Sequence, residues 1–129
     1  MISLGLIGSG KWGKNYIKTL KKIDDVHLGF VVNRTIPKEN FNLRNCRFLS
    51  NFKDLLDNKI DGVIISTPPS THFEICKFFI NQRVPILVEK PITLSYIDAK
   101  KLSELAKLNN TIVKVDHIHT YSCGFRKIK

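Results

Sequence analysis

Acidic residues are scarce in this sequence of 129 residues: 11 Asp plus Glu stand against 21 Lys plus Arg, a formal net charge of +10. Such a balance favours anionic partners, whether nucleic acid, acidic lipid or phosphorylated small molecules. The basic residues are dispersed, however, and no long Lys/Arg block occurs, so no nucleic-acid partner is expected. The abundance of Lys, Asn and Ile is also what a biased genomic composition produces. Cysteine is equally sparse. Cys46, Cys76 and Cys123 are widely spaced and odd in number, which argues against a disulfide framework and a metal knuckle. No metal site is expected, and a reducing cytoplasm is the simplest location. No apolar run approaches the length that crosses a bilayer, so no membrane partner is expected. The N-terminus enters an apolar strand at once and lacks the pattern of a signal peptide. Internal repeats and low-complexity linkers are absent as well.

What is present suffices for one domain. The length predicts a single unit, and 43% apolar residues support a real core. The chain is organised around Ile2 to Gly13. An apolar run ends at Gly8, and Gly8, Gly10 and Gly13 then fall at the spacing G-x-G-x-x-G. Tyr16, Ile17, Leu20 and Ile23 follow at helical spacing within Lys14 to Ile23. Glycines between a strand and a helix are the setting of a dinucleotide fingerprint. Gly8 permits the tight turn, Gly10 lets a pyrophosphate approach the main chain, and Gly13 lets the helix lie close to the strand. The free N–H groups and the positive end of the helix dipole then face the phosphates. The bland alternative is a glycine-rich strand-to-helix turn with no ligand.

Strands alternate with helices along the rest of the chain. Val26 to Asn33 reads as a buried second strand, of the near-continuous apolar kind that a parallel sheet requires. In an NAD site a carboxylate closes this strand and accepts hydrogen bonds from the adenosine ribose. Here the acid is lacking: Asn33, Arg34 and Thr35 stand there. No charge repels a 2′-phosphate, Arg34 offers a planar fork to bind one, and Thr35 offers a hydroxyl. NADP(H) is therefore favoured over NAD(H). On the alternative reading Arg34 is a solvated loop residue and the pocket is indifferent to the cofactor.

Ile36 to Asn45, with Pro37 and three asparagines, reads as a surface connection. Arg47 to Leu49 is a short third strand, and Asn51 to Asp57 a short helix with Phe52, Leu55 and Leu56 inward. Ile60 to Ser66 is a strong buried strand. It ends in Thr67-Pro68-Pro69-Ser70-Thr71-His72, a stiff loop at the carboxyl edge of the sheet, before a helix over Phe73 to Gln82. Ligands of open α/β sheets bind at that edge. His72 either touches the ligand or merely starts the helix. Val84 to Val88 is the fifth strand, delivering Glu89-Lys90-Pro91 to the same edge. Lys90 can polarise a substrate oxygen or shift a proton, and Pro91 fixes the backbone, for which a cis bond is one means. An exposed ion pair is the alternative. Ser95 caps a helix with Asp98 three positions on, its apolar face being Ala99, Leu102, Leu105, Ala106 and Leu108. Thr111 to Val115 is a sixth strand leading to Asp116-His117-Ile118-His119, and Thr120 to Lys129 begins another helix. The expected fold is α/β, a doubly wound parallel sheet.

Three motifs now stand in order: Gly8-Ser9-Gly10-Lys11-Trp12-Gly13, Ser66-Thr67-Pro68-Pro69-Ser70-Thr71-His72, and Glu89-Lys90-Pro91. With them the sequence resembles, over nearly its whole length, the amino-terminal domain of the Gfo/Idh/MocA oxidoreductase family. The resemblance implies a Rossmann domain over residues 1–119 that holds NAD(P). Residues 120–129 would start the connection to a second domain, which in the family supplies most of the substrate pocket, the acid/base histidine and the oligomer interface. It implies Lys90 as the catalytic residue at the nicotinamide end, near the reacting carbon of a sugar or polyol. Ser66, Thr67, Pro68, Pro69, His72 and Glu89 would line the cofactor beside the glycine loop and Asn33 to Thr35. Trp12-Gly13-Lys14-Asn15, and His117 before Tyr121-Ser122, are similar to members acting on nucleotide-linked sugars, which puts His117 on the substrate side. No residue here matches the family's catalytic histidine motif. The expectation is the cofactor domain of an NAD(P)-dependent sugar-type dehydrogenase, incomplete by itself. The alternatives are a non-catalytic NADP(H)-binding module and a truncated remnant. Self-association into a homo-oligomer remains open, because Tyr121 and Phe125 would be left uncovered.

Overall fold

The computed structural model describes residues 1–35, 41, 43 and 45–128. Strands β1 (Ile2–Ile7), β2 (Val26–Val32), β3 (Arg47–Leu49), β4 (Gly62–Ile65), β5 (Ile86–Glu89) and β6 (Val113–Asp116) form one sheet. Its order is β3-β2-β1-β4-β5-β6, and every neighbouring pair is parallel. The chain builds outward from β1 to one side, then returns to build outward on the other. The order therefore reverses between β1 and β4, where the connections part and leave a crevice at the carboxyl ends. This is the doubly wound, single-domain Rossmann architecture.

The apolar runs are continuous because both faces of the sheet are covered. Successive side chains of a strand point to opposite faces. Leu6, Val31 and Ile64 accordingly pack in one cluster with Ile17 of helix α1 (Lys11–Leu20). Their neighbours Ile7, Val32, Val63 and Ile65 pack in the other. There they meet Ile75, Phe79 and Ile80 of α2 (His72–Asn81) and Leu102 of α3 (Tyr96–Leu108). Phe79 is wholly buried and meets Phe78 edge to face at 5.1 Å. Truncating such a ring to alanine costs about 3–5 kcal/mol.

Several element boundaries differ from the sequence expectation, each for a local reason. The first helix begins at Lys11 rather than Lys14, so Gly13 lies inside its first turn, and it ends before Ile23, which is exposed. The segment over Phe52–Asp57 is a 3₁₀ helix capped by Asn51, with Leu55 buried and Leu56 exposed. The fourth strand starts at Gly62 because Asp61 is turned toward Ser3: its carboxylate accepts the Ser3 N–H and its own N–H reaches Ser3 O. The fifth starts at Ile86, after Arg83 takes a left-handed φ of 57° and Val84 N–H returns to Phe79 O. Leu108, expected on the apolar face of α3, is exposed. Ser95 does cap α3, its hydroxyl facing the Asp98 N–H at 3.5 Å.

Most of the connection read over residues 36–45 lies outside the described residues. Phe41 and Leu43, which do not, pack against the α1-side cluster. Beyond β6 a 3₁₀ turn (Ile118–Tyr121) leads into α4 (Cys123–Ile128). Tyr121 and Phe125 are exposed there. No helix among the described residues is long and apolar enough to cross a membrane.

Candidate functional site at the carboxyl edge of the sheet

The three motifs converge because every strand is parallel: each strand's last residue delivers the next loop to one edge. Gly8 follows β1, Asn33 follows β2, Ser66 follows β4, Lys90 follows β5 and His117 follows β6. The glycine spacing has three distinct physical causes. Gly8 has φ +93°, and a Cβ there would lie 2.9 Å from Ser66 O. At Gly13 a Cβ would stand 2.2 Å from Gly8 O, so helix and loop approach too closely for any side chain. At Gly10 a Cβ would meet nothing within 4 Å. The first and third glycines are thus required by the fold. The second leaves an open cradle where α1 begins.

That cradle fits an anionic pyrophosphate. The first-turn N–H groups of α1 have no intrahelical acceptor, and the dipole adds partial positive charge. No acidic residue lies in that turn, and Lys11 stands exposed at its start. Trp12 is 43% exposed beside it.

Side chains brace the loop from beneath. Ser66 Oγ donates to Gly8 O at 2.6 Å, and Ser66 N–H to Ile7 O at 2.9 Å. Asn33 Oδ1 accepts the Ser9 N–H at 2.9 Å, while Asn33 Nδ2 donates to Ser9 Oγ at 2.6 Å. Asn33 therefore faces the glycine loop, whereas Arg34 and Thr35 beyond it are exposed. In the loop after β4, Thr71 Oγ1 donates to Pro68 O at 2.8 Å and contacts Thr67 Oγ1 at 2.7 Å.

His72, expected to line the cofactor, has no exposed surface. Its Nε2 lies 2.8 Å from Thr67 O and its Nδ1 2.9 Å from Pro91 O. The ring sits under the loops because it heads α2, which packs beneath them; it supports the site from inside. The Lys90–Pro91 bond is cis. Lys90 itself is exposed and has no hydrogen-bond or ion-pair partner among the described residues. His117 is exposed at the end of β6.

Glu89 is buried at 8% exposure, and its Oε1 lies 3.0 Å from the Tyr16 hydroxyl. The same hydroxyl donates to Asp116 Oδ2 at 2.5 Å. Glu89 and Asp116 are register partners on β5 and β6, so one phenol of α1 bridges two neighbouring strand ends. Burial, then the hydrogen bond to Asp116, then the charge of Glu89, push the Tyr16 phenol far above its ordinary value. It stays a neutral donor. Tyr16 and Asp116 escaped the sequence reading. Tyr16 lies on the apolar stripe of α1, where spacing alone does not single it out. Asp116 had a usable signal: like Glu89, it is a carboxylate that closes a strand.

No group of three His, Cys, Asp or Glu able to hold a metal ion occurs among the described residues. Fold and site together define a parallel α/β domain built to hold a dinucleotide along its carboxyl edge. The model of the oxidoreductase family with an NAD-binding Rossmann fold matches residues 2–117, and the chain belongs to that Gfo/Idh/MocA family. It is 30% identical over 114 residues to UDP-N-acetylglucosamine 3-dehydrogenase of Acidithiobacillus ferrooxidans, covering 88% of this chain and 36% of that protein. An oxidoreductase from Bacillus cereus superimposes with a TM-score of 0.81 at 28% identity, over 89% of this chain and 34% of the other. Myo-inositol 2-dehydrogenase from Lactobacillus plantarum shares the fold with a TM-score of 0.86 at 22% identity, over 98% of this chain and 39% of the other. The chain thus spans about a third of the length of such relatives.

Proposed function

We propose that this chain is the NADP(H)-holding part of a dehydrogenase that oxidises or reduces a hydroxyl-bearing carbon of a sugar or nucleotide-linked sugar. The observation that carries this reading is convergence. The open cradle at Gly10 and the exposed Lys90 ammonium are delivered to one sheet edge by β1 and β5, on either side of β4. Gly8 to Gly13 would hold the pyrophosphate, Arg34 and Thr35 the adenosine end, and the Thr67–Pro69 loop with Glu89 the nicotinamide end. The bound cofactor supplies hydride chemistry. Lys90 donates hydrogen bonds to the reacting oxygen and stabilises it as the carbonyl forms. The Tyr16 hydroxyl holds the Glu89 carboxylate in its buried position. His117 sits on the substrate side. The nucleotide-sugar class is supported by the name of the Acidithiobacillus relative. A base for the hydroxyl proton would come from the remaining two thirds of a full-length enzyme, with residues 120–129 as the start of the connection.

A second reading is a non-catalytic NADP(H)-binding module, which uses the same open cradle at Gly10 and gives Lys90 no chemical role. On that reading Lys90→Ala has no consequence; on the first it abolishes hydride transfer when a substrate domain is present. The experiment that tests both is a titration of Trp12 fluorescence with NADPH and NADH. Quenching by NADPH at lower concentration supports the cofactor assignment. No response to either ligand rejects both readings.

A further inference from the structure

In dinucleotide folds the residue closing the second strand reads the adenosine ribose. Here that residue is engaged elsewhere. The Asn33 carboxamide makes a two-point contact with Ser9, accepting its N–H at 2.9 Å and donating to its hydroxyl at 2.6 Å. Both ends of the contact are anchored by main chain. Asn33 N–H donates to Leu49 O at 3.0 Å, and Gly8 N–H to Val32 O at 2.9 Å. Ser9 is 8% exposed, so water competes little for the pair.

Two consequences follow. The Ser9 N–H, which lies between the two loop glycines, is spent on Asn33 and is not offered to a phosphate. The donors left for a pyrophosphate are those of the first turn of α1. A carboxamide oriented by two bonds also has less freedom to follow a ribose. The exposed groups next to it, Arg34 and Thr35, have that freedom.

We propose that Asn33 is a positioning residue that holds the glycine loop in its ligand-ready form through Ser9, acting on both nicotinamide cofactors alike. Selection for the 2′-phosphate then belongs to Arg34. This inference rests on the reading of the loop as a dinucleotide site.

The test compares the unsubstituted chain with Asn33→Ala, Asn33→Asp, Ser9→Ala and the Asn33→Ala/Ser9→Ala pair. Trp12 fluorescence is titrated with NADPH and with NADH, and Ser9 amide exchange is followed by NMR in the free protein. Asn33→Ala should weaken both cofactors by the same factor, about tenfold for two lost bonds, and should speed Ser9 exchange. The double variant should be no worse than Asn33→Ala, because the two side chains act as one unit. An aspartate accepts from both the Ser9 N–H and the Ser9 hydroxyl. Asn33→Asp should therefore keep Ser9 protected and restore NADH binding, while its charge repels NADPH. A change of more than about threefold in the NADPH-to-NADH ratio of Asn33→Ala, or unaltered Ser9 exchange, overturns the proposal. Absence of binding by the unsubstituted chain overturns the cofactor reading itself and this inference with it. Should Asn33→Ala fail to fold, Ser9→Ala carries the test, with smaller and equal losses for both ligands.

Discussion

His72 lies with one ring nitrogen 2.8 Å from Thr67 O and the other 2.9 Å from Pro91 O, so a single buried imidazole ties the loop after β4 to the segment that carries Lys90. Both partners are carbonyl oxygens, which only accept, so the ring N–H supplies the donor, and the ring fills the space between the two loops. His72→Phe keeps the volume and removes the donor. It should lower stability by about 1–3 kcal/mol, read from urea unfolding. An unchanged urea midpoint would show that the contacts contribute nothing.

Gly13 and Gly10 should respond oppositely to alanine. At Gly13 the new Cβ would sit 2.2 Å from Gly8 O, a backbone atom that cannot swing away. Gly13→Ala should cost about 3 kcal/mol or more, or prevent folding. At Gly10 the Cβ enters open space, so Gly10→Ala should keep stability within about 1 kcal/mol while it weakens NADPH binding. Thermal unfolding and the Trp12 titration separate the two effects; equal destabilisation by both variants would contradict them.

Alkali should destabilise the fold in a way traceable to single residues. Burial pushes the Cys76 thiol from 9.0 up to about 12, and the half-buried Cys46 thiol up to about 11. The Tyr16 phenol is raised as well, chiefly by burial. Each of these groups ionises in the unfolded chain before it can in the folded one. The unfolded state then binds fewer protons, and stability falls as pH rises from about 9. For the fully buried Cys76 the slope is about 1.4 kcal/mol per pH unit until its folded thiol ionises. Cys76→Ala should flatten that part of the curve between pH 9 and 12, despite a lower starting stability, and Tyr16→Phe should flatten the part above about pH 10. A pH series of urea midpoints reads both; parallel curves for variant and parent would reject the assignment.

Arg34 should decide between the cofactors. Its guanidinium is exposed past the end of β2 and can take a 2′-phosphate with two donors. Arg34→Ala should weaken NADPH by about 10- to 100-fold and leave NADH within about twofold. Equal losses for the two ligands would place the selectivity elsewhere.

Much of this protein was legible in the order of its residues. Gly8, Gly10 and Gly13 have local roles in turn, cradle and close approach, and such roles show in spacing alone. The strands announced themselves because a sheet covered on both faces demands apolar residues at consecutive positions, as in Leu6-Ile7 and Val63-Ile64-Ile65. The place of Lys90 at the sheet edge was legible because parallel strands send every strand end to one edge. What only the tertiary structure decided are the partnerships across the sheet. Asn33 grips Ser9, 24 positions away; Tyr16 bridges Glu89 and Asp116, 73 and 100 positions on. His72 starts α2, as one of its two sequence readings has it, and the packing of α2 beneath two loops makes it a buried support. Side chains of these types occur on surfaces, in cores and in sites alike. Their roles follow from which acceptors the folded backbone places within 3 Å or so, a distance that no one-dimensional pattern contains.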